Sequence, residues 1–156
     1  MEIPLNEEEL ALVGRFVVAW NQVEQFLDVG VLSLLDVGND SLEKIMGSPH
    51  VPSKGAIFDA LVKEKIKDAA ILKEADHCVK RINDLSNFRN DVVHGRWATS
   101  VDLKLAVSHK KSSAKPVSIQ QIGQKYVEVC KLSHRLINVV RQILQSRFPG
   151  PFWRSP

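Results

Sequence analysis

Cysteine is scarce in this sequence: Cys78 and Cys130 are the two in 156 residues. Two cysteines make no disulfide framework, and they read as reduced thiols of a cytoplasmic protein. No apolar run approaches the ~18 residues that cross a bilayer, so no membrane partner is expected. The N-terminus runs Met1-Glu2-Ile3-Pro4-Leu5-Asn6 and then Glu7, Glu8 and Glu9, without the basic start and apolar stretch of an export signal. A glycine-rich phosphate loop and a G-x-S-x-G nucleophile elbow are missing as well, which argues against the chemistries built on them. Internal repeats and low-complexity tracts are absent. What is present is ordinary: 44% hydrophobic and 25% charged residues, enough to exclude bulk disorder. The length suits a single domain over residues 1–156.

Charge is distributed unevenly behind a net +3. Residues 1–50 hold nine acidic and two basic side chains, whereas residues 51–156 hold nine acidic and nineteen basic ones. A basic two-thirds points to an anionic partner such as RNA or DNA. A solvated surface whose opposite charges pair within the fold is the other reading.

Apolar spacing predicts a long first helix from about Glu7 to Asp36. Leu10, Val13, Val17, Trp20, Val23, Leu27, Val31 and Leu34 recur at steps of three and four. Asn6 and Glu9 are spaced for reciprocal capping, and Glu7 to Glu9 suit the positive end of the helix dipole. A short helical turn is expected at Leu42–Met46 and a loop at 47–52. Pro52 suits the start of a second helix reaching about Ile66. A third helix is expected from near Asp68 to Gly95, striped by Ala75, Cys78, Ile82, Leu85, Arg89 and Val92. Gly95 suits a left-handed C-cap.

The period then changes. Val101, Leu103, Leu105 and Val107 alternate with polar or small residues, which predicts a strand. A strand needs a partner, either Lys110–Val117 returning as a hairpin or a second copy of the chain. The last helix opens at Ser118, with Gln121 completing an S-x-x-Q capping box. Its expected stripe is Ile119, Ile122, Tyr126, Cys130, Ile137, Val140 and Leu144, and Phe148-Pro149-Gly150-Pro151 stops it. The aromatic, proline-rich tail over 148–156 either packs or frays. The expected fold is therefore mainly α: a bundle of about four main helices, with a small β-hairpin at about 98–117 inserted before the last.

Chemistry concentrates at the end of the third helix, in Phe88-Arg89-Asn90-Asp91-Val92-Val93-His94-Gly95-Arg96-Trp97. Arg89 lies amid the apolar stripe, where a guanidinium requires a partner or a wet cleft. Asn90 and His94 are one turn apart and share a face. Arg89 and His94 stand roughly 140° apart around a regular helix. They meet only through the reach of the arginine, distortion near Gly95, or two copies across an axis. Arginine binds phosphate with a planar, permanently charged fork, and histidine titrates near neutral pH. Glu24, between Trp20 and Leu27 on the first helix, is a candidate partner that orients Arg89. The alternative pairs Arg89 with a carboxylate as a core ion pair and leaves His94 to cap the helix end.

Arg89-Asn90-x-x-x-His94 resembles the R-x(4–6)-H motif of the HEPN superfamily, including the polar residue directly after the arginine. The setting, late in a long helix of an all-α bundle, is similar too, and the resemblance spans roughly residues 6–147. The strand region lies outside the family's minimal helical core. The resemblance implies a metal-independent endoribonuclease that leaves 2′,3′-cyclic phosphate and 5′-OH ends. It implies a homodimer whose paired motifs line a cleft, with no cofactor. Carried over, His94 is the general acid/base, Arg89 holds the phosphate, and Asn90 positions either. Some relatives are toxins neutralised by an antitoxin, or defence and stress nucleases. The alternative within the resemblance is a non-catalytic dimer binding RNA, nucleotide or a regulatory protein.

Supporting roles are open for Asp91 and for Trp97, which either anchors the core or walls the cleft. Arg96, Lys110, Lys111 and Lys115 are candidates for RNA-backbone contacts, with a solvated hairpin tip as the alternative for the lysines. Cys78, Cys130, His77 and His134 are considered as zinc ligands and set aside. His77 and Cys78 are adjacent, so their side chains diverge by roughly 100°, and cysteines on apolar stripes are usually core residues.

Overall fold

The computed structural model describes residues 5–35, 50–99, 104–107 and 117–149. Among them the fold is a bundle of four helices: α1 (Glu7–Leu35), α2 (Val51–Lys65), α3 (Ala69–His94) and α4 (Ile119–Arg147). Three short strands separate α3 from α4: β1 (Arg96–Thr99), β2 (Lys104–Val107) and β3 (Val117–Ser118). The expected turn at 42–46, residues 47–49 of the expected loop, Lys110, Lys111, Lys115 and the tail from 150 onward lie outside the described residues.

Local signals start the helices where expected. Asn6 N–H donates to Glu9 Oε2 at 2.7 Å, and Glu9 N–H donates to Asn6 Oδ1 at 2.9 Å. Asp68 Oδ1 accepts from the backbone of Ala70 and Ile71 at the head of α3. Ser118 and Gln121 form a complete capping box on α4. These contacts satisfy amides that the first helical turn leaves without partners.

The end of α3 differs from expectation. Gly95 is extended, with φ −72° and ψ 156°, not left-handed. The reason is continuity: the next residue begins β1, so the backbone leaves the helix straight into a strand. The expected strand gains a second partner beside the returning segment. β2 pairs antiparallel with β1, setting Trp97 opposite Ala106 and Thr99 opposite Lys104, and its other edge meets β3 at Ala106–Val117. The hairpin is thus part of a three-stranded sheet that starts directly after α3.

α1 and α4 make the most extensive helix contact, and α2 and α3 close the bundle around it. The centre holds Phe16, Trp20, Leu27, Phe58, Ile82, Leu85, Ile122, Leu136 and Ile143. On α1 the expected Trp20, Val23, Leu27, Val31 and Leu34 are buried, while in the first turns Leu10 is exposed and Phe16 and Ala19 are buried instead. On α4 the stripe is Ile122, Val129, Leu132, Leu136, Val139, Val140 and Ile143. Cys130 is exposed. Burying Val129 in place of Cys130 rotates the face by about one residue, roughly 100°.

Gly30 permits a close approach of α2 and α4 to α1. A Cβ at this position would sit 2.6 Å from Phe58 Cε2 and 3.2 Å from Val140 Cγ2. Both neighbours are core side chains with little room to yield. Gly30→Ala is therefore expected to destabilise the fold by ~1–3 kcal/mol, the usual effect of overpacking. The midpoint of urea unfolding checks it, and an unchanged midpoint would count against this packing.

Candidate functional site

The site forms where the last two turns of α3 face α1 and the start of α2. Arg89, Asn90 and His94 come together. Arg89 Nη1 lies 3.3 Å from Asn90 Oδ1 and 3.5 Å from His94 Nε2. The reach of the arginine side chain closes the angular gap between the two positions. Arginine only donates, so the contact places Nε2 on the accepting side. His94 is exposed, and Asn90 is too.

Glu24 approaches the same guanidinium from α1, with Oε1 4.0 Å from Arg89 Nη2. The same oxygen accepts a hydrogen bond from Trp20 Nε1 at 2.7 Å. Trp20 and Glu24 are four residues apart, on adjacent turns of one face. The otherwise buried indole thus fixes the carboxylate from within the core.

Arg89 is held more loosely than Arg81 and Arg135. Arg135 grips Glu74 with two prongs, Nε to Oε1 at 2.5 Å and Nη2 to Oε2 at 3.0 Å, and its Nη1 donates to His77 Nε2 at 2.7 Å. The Arg135 hydrogen bonds hold the Glu74 carboxyl below the usual carboxylate range. Arg81 pairs with both Asp84 and Glu128. Among the described residues Arg89 makes no hydrogen bond to a carboxylate, and its Nε is sealed from solvent without a partner. A guanidinium in that state retains capacity for a planar anion.

A pocket of about 520 Å³ opens beside it, lined by Trp20, Glu24, Ser86, Arg89 and Asn90 and, from the head of α2, by His50, Val51 and Pro52. The α2 wall was not apparent from the sequence, because it comes from a residue stretch far from the motif. Ser86 sits one turn before Asn90, a spacing that could have marked it.

The remaining candidates fall elsewhere. Trp97 is partly buried against the core from β1 and does not line the pocket, which favours its role as an anchor. Asp91 contributes its carbonyl to the Gly95 N–H at the helix end and makes no side-chain contact with Arg89 or His94. Arg96 is described only as backbone of β1. Among the described residues no three His, Cys, Asp or Glu side chains gather as a metal site. Burial pushes the Cys78 thiol up to about 12, so it stays protonated in the core. No helix among the described residues is long and apolar enough to cross a membrane.

No family model matches the chain, and no curated protein or solved structure matches it.

Proposed function

We propose that the protein is a metal-independent endoribonuclease of HEPN type, with Arg89, Asn90 and His94 as its reacting site. The observation that carries this reading is the approach of Arg89 Nη1 to His94 Nε2, 3.5 Å, by an arginine that no carboxylate saturates. A phosphodiester on the guanidinium lies within reach of the imidazole. As the guanidinium engages the phosphate it leaves Nε2, which then takes the proton from the ribose 2′-hydroxyl. O2′ then attacks phosphorus, the P–O2′ bond forms and the P–O5′ bond breaks. Protonated His94 gives its proton to the leaving 5′-oxygen, so the step balances without water and ends in a 2′,3′-cyclic phosphate and a 5′-hydroxyl. Arg89 offsets the charge that builds on the phosphoryl oxygens. Asn90, holding Nη1 through its Oδ1, keeps the fork turned toward His94.

The basic balance of residues 51–156 supports an anionic substrate. The reading extends to a cytoplasmic homodimer that brings two such sites to one cleft, acting as a toxin or a defence or stress nuclease under an antitoxin or regulatory protein.

The test uses the nucleophile that only RNA supplies. Purified protein in EDTA is expected to cut an RNA and to leave the DNA of the same sequence intact. Equal cutting of both would sink the reading, because DNA has no 2′-hydroxyl to attack.

A further inference from the structure

The pocket beside Arg89 is larger than phosphate binding needs. At about 520 Å³ it falls in the ~300–1,000 Å³ range of small-molecule sites. The guanidinium separates it from the histidine: Nη1 faces His94 and Nη2 faces Glu24. A nucleotide with its phosphate on Arg89 therefore has this cavity next to it, on the side away from His94. Val51 and Pro52 supply apolar surface for a ring.

The polar groups narrow the choice of ring. The Ser86 hydroxyl already donates to the Ile82 carbonyl at 2.8 Å. Asn90 Oδ1 is engaged by Arg89. Glu24 differs, since Oε1 is held by Trp20 while Oε2 has no hydrogen-bond partner among the described residues. An ionised carboxylate accepts and never donates. Guanine presents two adjacent donors, N1–H and the N2 amino group, on its Watson–Crick edge. Adenine and cytosine each set a ring acceptor beside one amino group, and uracil flanks its single N–H with two carbonyls. Those acceptors would face the carboxylate with opposing lone pairs. Single-stranded RNA is commonly read by this edge, with the base packed against an aromatic or apolar wall.

We infer that this pocket is a base subsite selective for guanine, and that Glu24 is the residue that reads the base. The inference rests on the reading of Arg89 as the phosphate holder. Trp20 fixes the carboxylate ahead of binding, which is the preorganisation such selectivity needs.

Equilibrium binding of 3′-GMP, 3′-AMP, 3′-CMP and 3′-UMP in EDTA tests it without requiring catalysis. Wild type and His94→Ala are both expected to bind 3′-GMP at least ~10-fold tighter than the other three, in line with one good two-pronged base contact. Glu24→Gln retains an acceptor for Trp20 but puts an amino donor against guanine, and is expected to lose the preference. Val51→Trp, which fills the cavity from its rim, is expected to weaken 3′-GMP at least ~10-fold. Equal affinities in the wild type overturn the inference, as does an unchanged preference in Glu24→Gln or no binding of any of the four. A Glu24→Gln loss shared equally by all four bases also overturns it, since Glu24 then only supports Arg89. Guanine preference without RNA cleavage upholds the pocket and defeats the nuclease reading. RNA cleavage with equal nucleotide binding defeats the pocket alone.

Discussion

His94→Ala is expected to lower RNA cleavage by ~10²–10⁴-fold, the usual contribution of a positioned general acid or base. Arg89→Ala is expected to cost ~10²–10³-fold, as removal of a preorganised charge at the reacting group does. The double variant is expected to lose much less than the product of the two, because the residues act on one transition state. Arg89→Lys retains the charge without the fork and is expected to fall between wild type and Arg89→Ala. The fold is expected to tolerate these changes. His94 is an exposed last residue of α3, and Arg89 makes no close carboxylate pair that its removal would strand. Single-turnover rates in EDTA check the losses, with urea unfolding as the control. Wild-type rates in either alanine variant would place the activity outside this site.

Trp20→Ala is expected to have the largest effect on stability. The side chain is 1% exposed and is the largest fully buried one in the bundle. Truncating such an aromatic typically costs ~3–5 kcal/mol. The same substitution releases Glu24 from its only direct hydrogen bond among the described residues. Trp20→Phe separates the two consequences. It retains most of the ring in the core and removes the Nε1–H donor, so its loss is expected to be nearer the ~1–3 kcal/mol of an unmet polar contact. Urea denaturation measures both. A Trp20→Ala loss under ~1 kcal/mol would contradict the central place given to this residue.

The two kinds of experiment meet at one structural point. Trp20 belongs to the core through its ring and to the site through its nitrogen. α1 therefore sets the position of Glu24 by the same packing that holds the bundle together. The site has a rigid rear wall from α1 and α3 and an exposed front at His94.

Much of this was legible in the sequence, and the parts that were not have a common cause. Helix starts at Asn6, Asp68 and Ser118 depend on contacts within three residues, so local spacing was sufficient. Arg89 and Glu24 stand out because charged residues on or beside an apolar stripe require explanation, and Asn90 and His94 because they share the neighbouring face one turn apart. The buried face of α4 was misread because its sequence offers two nearly parallel stripes, one through Tyr126 and Cys130 and one through Val129 and Leu136. Packing against α1 and α3 selects between them, and that choice is not encoded in α4 itself. Gly95 was misread for a similar reason: glycine suits a left-handed cap, yet pairing of β1 with β2 draws the chain into an extended path. His50, Val51 and Pro52 reach the pocket only through the packing of α2 on its neighbours.

The most direct measurement is the chemistry of the ends that the protein leaves on RNA. Wild-type protein in EDTA, beside His94→Ala prepared identically, is expected to generate 2′,3′-cyclic phosphate and 5′-hydroxyl termini that the variant does not. Ends bearing a 3′-hydroxyl and a 5′-phosphate, or the same products at the same rate from His94→Ala, would contradict a site in which the RNA's own hydroxyl attacks under the control of this histidine.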